Sequence, residues 1–217
     1  MLVWLAMYTV ALISRKGGAG KTTLACGLAV AGESAGFMTA LLDLDPQGSA
    51  SAWAGLRASD SPAVVPGSAP QLAALLAAAR SAGAALAVID TAPHSTGAAL
   101  KAAQAADLVL IPCRASVADL HAIGTSIEIS RNAGTAAAVV LNAAPVQGPL
   151  VSQAQAAVAA YEVDMVPVVL HQRIAHVHAF TNGLTAPEFA RTSKAAGELA
   201  ALFAWVGNRG GLQNGQD

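Results

Sequence analysis

Short apolar runs alternate with longer alanine-rich segments along most of the chain, and this alternation predicts the fold. The runs have the length and the Val, Ile and Leu content of buried strands, and they cover residues 8–14, 37–48, 86–94, 105–113, 136–145 and 165–170. Helices are expected at residues 24–30, 71–80 and 117–132, from about Glu188 to Trp205, and briefly after Ser49, with a weak strand at 63–65. Strands that alternate with helices predict an α/β fold: a single-domain, doubly wound, mainly parallel sheet with helices on both faces.

The segment 14–23, SRKGGAGKTT, joins the first predicted strand to the first helix. Glycines allow consecutive backbone N–H groups to point at phosphate oxygens, and the positive end of the following helix adds to the attraction. Lys21 would neutralise the β- and γ-phosphates of a nucleotide, while the Thr22 hydroxyl would bind Mg²⁺. The ordinary G-x-x-x-x-G-K-[ST] motif is not met, because Arg15 stands at its first glycine, and Lys16 adds a second lysine. The predicted nucleotide-binding residues of this loop are Gly17, Gly18, Ala19, Gly20, Lys21, Thr22 and Thr23.

Polar residues follow three of the other predicted strands. Asp43 and Asp45 belong to a D-x-D-P-Q segment, and Asp90 closes the run Leu-Ala-Val-Ile-Asp. In open parallel sheets the ligand lies at the carboxyl ends of the strands, where these carboxylates are expected. Asp90 has the form of a Walker B aspartate, whose role is to hold the water shell of Mg²⁺. Asn142 ends a later strand and either meets the adenine or satisfies its own turn.

The segments K-G-G-x-G-K-T and D-x-D-P-Q and the strand that ends at Asp90, in this order, resemble the deviant Walker A motif family of ParA and MinD. The resemblance covers most of residues 8 to 205 and implies a P-loop NTPase fold that binds ATP and Mg²⁺. It implies three catalytic residues: Lys21, Asp45 as the residue that positions the attacking water, and Lys16 as a lysine that crosses a dimer interface to the partner's nucleotide. It also implies that Thr22, Asp43 and Asp90 surround Mg²⁺, the aspartates through water. Family members often carry two prolines after the last aspartate, whereas this chain has Ala92 and Pro93.

The resemblance implies a ParA-type partitioning ATPase of the short form, without an N-terminal helix-turn-helix domain. In such a cycle, MgATP drives a sandwich homodimer that binds nonspecific DNA, and a ParB-type adaptor on the cargo stimulates hydrolysis, which segregates plasmid or chromosomal DNA. The expected location is the cytoplasm, on the nucleoid. Alternatives are ParA-like positioning of a protein cargo such as a carboxysome or chemoreceptor cluster, a non-catalytic nucleotide switch, and a metabolic synthetase. A synthetase is expected to need an extra substrate domain, for which the chain has no spare length.

Charge decides which partners are plausible. The formal net charge of −1 and the isoelectric point near 6.5 give no global basic field, so DNA contact requires a local patch of cations. Arg173, Arg191, Lys194 and Arg209 are the candidates by position, with the alternative that each only solubilises an apolar helix. A MinD-like membrane ATPase needs a basic amphipathic helix at the C-terminus, and residues 198–209 carry too little positive charge. No membrane partner is therefore expected.

Length and the remaining titratable residues complete the predictions. We expect one ATPase domain at residues 8–206, an N-terminal extension at 1–7 and a flexible tail at 207–217. Cys26 and Cys113 are far apart in sequence and are interpreted as small buried hydrophobic residues. His171, His176 and His178 are interpreted as residues that pack at the surface or on the adenine side rather than as metal ligands, because no acidic or cysteine ligand lies at compatible spacing.

Overall fold

The computed structural model describes residues 6–212, which form one parallel sheet with helices on both sides. The strands are β1 (Tyr8–Leu12), β2 (Thr39–Asp43), β3 (Ala63–Pro66), β4 (Leu86–Asp90), β5 (Leu108–Cys113), β6 (Ala137–Leu141) and β7 (Asp164–Met165). The helices are α1 (Lys21–Ser34), α2 (Ser49–Ala54), α3 (Leu72–Ser81), α4 (Thr96–Ala105), α5 (Val117–Ala133), α6 (Leu150–Ala159), α7 (Ile174–Thr181), α8 (Ala186–Phe189) and α9 (Lys194–Gly210), with a 3-10 turn at Ala69–Gln71. The seven strands follow the order β3-β2-β4-β1-β5-β6-β7 and pair in parallel throughout.

Alternate residues of each central strand enter two separate cores. In β1, Val10 and Leu12 pack with residues of α1 and α9, whereas Ala11 and, just after the strand, Ile13 pack with residues of α3, α4 and α5. The period of two along a strand thus sends one set of side chains to each face, and both faces need helices to cover them. This arrangement confirms the predicted single-domain, doubly wound fold.

The order of the strands brings the carboxylates to one edge of the sheet. β4 lies between β1 and β2, and Asp90 is the register partner of both Leu12 in β1 and Asp43 in β2. The glycine-rich segment 14–23, here called the phosphate loop, follows β1, so it begins near the two aspartates at the carboxyl edge. Both carboxylates are buried, with exposures of 2% for Asp43 and 0% for Asp90.

Strand β7 is shorter than the predicted strand at 165–170. Only Asp164–Met165 forms a ladder with β6, although Val166 and Leu170 still donate backbone hydrogen bonds to Val139 and Leu141. Pro167 lies between these two donors and has no N–H of its own, which prevents a continuous ladder.

The single final helix predicted from Glu188 to Trp205 is wrong at both ends. The chain forms the short α8, leaves helical geometry at Ala190, and starts α9 at Lys194, where the Ser193 hydroxyl caps the first turn. Helix α9 continues to Gly210, and Leu212 beyond it is 5% exposed. The first residues of the expected tail are therefore helical or buried, and residues 213–217 lie outside the described part. Of the expected N-terminal extension, only Ala6 and Met7 are described, and Met7 is buried.

Candidate functional site

A cavity of about 460 Å³ opens at the carboxyl edge of the sheet. Eight of the residues predicted to bind nucleotide or act in catalysis line it: Gly17, Gly18, Gly20, Lys21, Thr22, Thr23, Asp45 and Asn142. His171 and His176, which the sequence assigned to surface or adenine-side packing, also line it, as does the DNA-contact candidate Arg173. The lining further includes residues that the sequence did not single out as nucleotide contacts: Arg114, Gln172, Val177 and Phe180. The fold thus joins the loop after β1 to the ends of β5 and β6 and to the segment that leads into α7.

The phosphate loop has the backbone that its glycines predict. Gly18 and Gly20 have φ angles of +75° and +93°, which side chains with a Cβ rarely adopt. A Cβ on Gly20 would also lie 2.1 Å from the side-chain nitrogen of Asn142. That nitrogen donates a hydrogen bond to the Ala19 carbonyl at 2.8 Å. Asn142, just after β6, therefore stabilises the conformation of the loop. Neither sequence interpretation of Asn142 included this contact, and its contact with a base stays a prediction.

Lys21 begins α1 and is held inside the loop. Its side chain is 6% exposed, and the ammonium donates to the Ser14 carbonyl at 3.3 Å. Burial lowers the pKa of Lys21, and the nearby carboxylates of Asp90 and Asp45 oppose that shift. No side chain caps the first turn of α1, so its N–H groups face the loop. A buried cation beside a free helix N-terminus is suited to bind phosphate.

The two buried aspartates differ in their hydrogen bonds. The Asp43 carboxylate accepts hydrogen bonds from the backbone and hydroxyl of Ser51 at 2.8 and 2.7 Å and from the Asp45 N–H at 3.2 Å. Neither oxygen of Asp90 has a hydrogen-bond partner among residues 6–212. Burial raises the pKa of Asp90 to about 7; the Thr22 hydroxyl, which lies close enough to oppose this shift, does not reach hydrogen-bond geometry, and Asp43 adds to the shift. A buried carboxylate without a donor fits a site that is completed by a cation.

Asp45 lines the cavity, and α2, which follows it in the chain, leads to an ion pair with α8. Asp45 is partly exposed toward the cavity and accepts a hydrogen bond from the Gln47 N–H at 2.9 Å. After α2, Arg57 stacks over Trp53 at 4.5 Å and donates to both carboxylate oxygens of Glu188 at 2.8 and 3.2 Å. Burial alone would raise the pKa of Glu188, but the hydrogen bonds from Arg57 and Thr185 lower it. The end of α2 is therefore fixed to α8 by an ion pair.

Lys16 does not line the cavity. Its ammonium pairs with the carboxylate of Asp119 in the first turn of α5 at 2.9 Å, and this carboxylate, 5% exposed, also accepts a hydrogen bond from the Ser116 hydroxyl. The lysine that the resemblance assigns to a partner's nucleotide is thus held within its own chain here.

Residues 171–173 and His176 form one wall of the cavity, and Glu198 of α9 holds two of them by hydrogen bonds. This carboxylate accepts hydrogen bonds from the His171 N–H at 3.0 Å, from His171 Nδ1 at 2.8 Å, and from Arg173 at 3.0 and 2.6 Å. Burial alone would raise the pKa of Glu198, but the hydrogen bonds from Arg173 and His171 lower it. Burial lowers the pKa of His176, which lies in the same wall. His171 and Arg173 are therefore fixed by a residue that the sequence did not single out.

The four candidate DNA contacts do not form one patch. Arg173 is held by Glu198 in the cavity wall, and Arg209 pairs with Asp164 at 2.8 Å while stacking over Trp205 at 4.3 Å. Lys194 and Arg209 lie near opposite ends of α9, about 22 Å apart at 1.5 Å per residue. Arg191 and Lys194 are exposed and make no ion pair within the described residues.

No cluster of three His, Cys, Asp or Glu side chains within residues 6–212 could hold a metal ion alone. The same residues contain no helix with the length and apolar content needed to cross a bilayer.

A parallel sheet, a glycine-rich loop after its central strand and a buried lysine at the start of the next helix define a P-loop nucleotide-binding domain. Residues 10–185 match the family model described as the CobQ/CobB/MinD/ParA nucleotide binding domain, and the chain belongs to this family. The predicted family is therefore confirmed. Among curated proteins, none shows significant sequence similarity to the chain.

Solved structures with the same fold are similar over nearly their whole length. A variant of Cyanothece McdA in complex with ATP has 19% identity and a TM-score of 0.74, and the match covers 95% of this chain and 97% of that one. MinD from Pyrococcus horikoshii with Mg-ADP has 16% identity and a TM-score of 0.77, with 95% and 98% covered. Cobyrinic acid a,c-diamide synthase from Mycobacterium smegmatis, with an ATP analogue and magnesium, has 16% identity and a TM-score of 0.74, with 96% and 98% covered. At these identities the likeness establishes the fold.

Proposed function

We propose that the chain is a MgATP-dependent ATPase of ParA type whose nucleotide state controls dimer formation and cargo positioning. The observation that carries this proposal is that Lys21 and Asp90 are both buried near the carboxyl edge of the sheet. One is a buried cation at a helix N-terminus, and the other is a buried carboxylate without a donor among the described residues. MgATP would supply phosphate oxygens to the Lys21 ammonium and Mg²⁺ to the Asp90 carboxylate.

The residues fit Mg²⁺ bound on a nucleotide rather than in a cage of protein ligands. Mg²⁺ takes oxygen ligands and usually keeps several waters, with one or two carboxylates and phosphates around it. Thr22 and Asp90 would hold it, while Asp43 is already engaged by Ser51 and Asp45 and would act at a longer distance. When bound, Mg²⁺ supplies neutralisation of the β- and γ-phosphate charge. Lys21 and the N–H groups of the loop would orient the phosphates, and Asp45 would position the attacking water.

Dimer formation requires a change at Lys16. In the proposed sandwich, this lysine reaches the partner's nucleotide, so its ion pair with Asp119 must break. Breaking it leaves the Asp119 carboxylate, which is 5% exposed, with the Ser116 hydroxyl as its remaining side-chain donor, and removing one partner from a buried carboxylate is costly. Contact of Lys16 with the partner's nucleotide must therefore offset the loss of this pair.

We propose nonspecific DNA as the surface on which the dimer acts, with a ParB-type adaptor on the cargo, in the cytoplasm at the nucleoid. Arg191 and Lys194 support this proposal, because they are exposed and lie close together before and at the start of α9. Arg173 and Arg209 contribute only if their pairs with Glu198 and Asp164 open. A dimer would double the number of cations, and its affinity for DNA should fall steeply with salt. The cargo is a DNA molecule or, alternatively, a protein assembly.

Chain length does not by itself separate an ATPase of this kind from a synthetase on the same fold. The match to the structure described as cobyrinic acid a,c-diamide synthase covers 98% of that chain. Assay of ATP turnover without an amide donor or acceptor separates them, since a synthetase requires both substrates.

The first test measures ATP binding and turnover by the wild-type chain and by Lys21→Ala, with Lys101→Ala, exposed on α4, as the matched control. Lys21→Ala should abolish nucleotide binding, because charge-assisted hydrogen bonds to phosphate are the strong ones. The control should bind as the wild type does. Near-wild-type affinity of Lys21→Ala for ATP would refute the assignment of the loop.

The second test titrates a nonspecific duplex with ATP, with ADP and without nucleotide at two salt concentrations. Binding should require ATP, weaken with salt, and weaken further in the double variant Arg191→Ala, Lys194→Ala. Tight binding that is equal with ATP, with ADP and without nucleotide would contradict the proposal that the nucleotide state controls DNA binding. No binding in any state would favour a protein surface as the partner.

A further inference from the structure

Arg114 follows β5 directly and lies at the wall of the nucleotide cavity. Its side chain is exposed, and its guanidinium makes no hydrogen bond or ion pair within the described residues. Asp119, the carboxylate five positions later, is already taken by Lys16 and Ser116. The Arg114 guanidinium therefore lies at the cavity wall and is not paired with a carboxylate of the described residues.

The other cations at this edge have partners. Lys21 donates to the Ser14 carbonyl, Arg173 is bound by Glu198, and Lys16 is paired with Asp119 outside the cavity lining. Arg15 donates to the Thr96 hydroxyl at 3.4 Å. Among the cations that line the cavity in the described chain, Arg114 alone has a guanidinium or ammonium group without a partner.

A nucleoside triphosphate brings about four negative charges at neutral pH, and one Mg²⁺ with Lys21 balances about three of them. One further cation would complete the balance within the monomer. Arginine suits this role, because its planar guanidinium can donate two parallel hydrogen bonds to a phosphate.

We propose that Arg114 is a nucleotide-binding residue that contacts the phosphate chain of the nucleotide held in its own subunit. This inference rests on the proposed function, since it requires a nucleotide in the cavity. Arg114 then supplies the charge that Lys16 does not supply while it is paired with Asp119. It also makes affinity depend on the phosphates rather than on the nucleoside.

The test compares wild type, Arg114→Gln and Arg114→Lys for binding of ATP by calorimetry and of adenosine by ligand-observed NMR. Arg80→Gln is the control, because Arg80 is exposed on α3 and does not line the cavity. Arg114→Gln should weaken ATP binding roughly tenfold or more and leave adenosine binding unchanged. Arg114→Lys keeps the charge without the planar guanidinium, so its affinity for ATP should lie between those of the wild type and Arg114→Gln. Thermal unfolding of the ligand-free variants checks that all are folded.

The possible results separate the inference from the proposed function. Unchanged ATP affinity in Arg114→Gln would overturn the inference while leaving the proposed function intact. Equal losses for ATP and adenosine would also overturn it, because they would show a role in holding the β5–α5 connection. Failure of the wild type to bind ATP would instead overturn the proposed function and this inference with it.

Discussion

Asp90→Asn should change how the stability of the ligand-free protein depends on pH. The Asp90 carboxylate is completely buried, and neither oxygen has a donor among residues 6–212. Burial raises its pKa from 3.8 to about 7. The unfolded chain loses this proton near pH 4, whereas the folded protein keeps it until about pH 7. The free energy of unfolding should therefore fall as pH rises through this window and then level off.

The size of the effect follows from the rise of the Asp90 pKa from 3.8 to about 7. At about 1.36 kcal/mol per pKa unit, the wild type should lose up to about 4 kcal/mol of stability between about pH 4 and pH 8 through this group. The amide introduced by the substitution has no charge to bury, so its cost does not change with pH. The free energy of unfolding of Asp90→Asn should therefore increase relative to that of the wild type as pH rises.

The assay is urea unfolding of ligand-free wild type, Asp90→Asn and the control Asp60→Asn at several pH values from about 4.5 to about 8.5, which cover most of the window between the two pKa values and the plateau above it. Asp60 is exposed, so its substitution should leave the wild-type pH profile unchanged. MgATP should restore stability to the wild type at high pH and do so less for Asp90→Asn. Parallel pH profiles for wild type and Asp90→Asn would contradict the reasoning, because they would show that the buried carboxylate carries no ionisation penalty.

Three further substitutions test other parts of the site. Asp45→Ala should keep ATP affinity and accumulate an ATP-bound dimer, since it removes water positioning without a phosphate contact; normal stimulated turnover, measured by phosphate release, would assign that role elsewhere. Arg57→Ala should lower the free energy of unfolding by about 3 kcal/mol, because Glu188 loses its partner in a largely buried pair; Arg80→Ala is its control, and an equal, small loss in both would show that the pair contributes little. Glu198→Gln should weaken ATP binding by several-fold because it releases His171 and Arg173; unchanged affinity in calorimetry would show that this wall does not contact the nucleotide.

The phosphate loop and the aspartates could be predicted because their signals are local. Glycines, Lys21 and Thr22 stand within one short segment, and a parallel sheet necessarily brings the ends of its strands to one edge. The apolar runs, the rule that ligands bind at the carboxyl ends of parallel strands and the family resemblance together were therefore enough to predict Asp43 and Asp90 at the same edge as the loop.

The contacts between distant segments could not be predicted. Lys16 and Asp119, Ala19 and Asn142, and Arg173 and Glu198 meet only after the sheet has formed. No motif marks Asp119 or Glu198 as partners, and Arg114 has no distinguishing neighbour in sequence. The site was thus predicted as a set of residues, but not as a set of pairs.

The break between α8 and α9 did have a signal in the sequence. Thr185 and Glu188 form a capping box, with the Glu188 carboxylate accepting hydrogen bonds from the backbone and hydroxyl of Thr185 at 2.7 and 2.8 Å. Ser193 is a second N-cap, and Gly211 has a φ of +67° at the end of α9. The T-x-x-E spacing followed by a serine indicates two helix starts rather than one.

Helix α9 also bears on how this protein can be divided into parts. The family match ends at residue 185, before α9 begins. A fragment trimmed to that match would retain every residue of the phosphate loop yet lose Leu199, Leu202 and Val206 from the core and Glu198 from the cavity wall. The segment that the family model matches and the autonomous folding unit are therefore different stretches of chain, and a fusion or a split-protein reporter should be joined beyond α9.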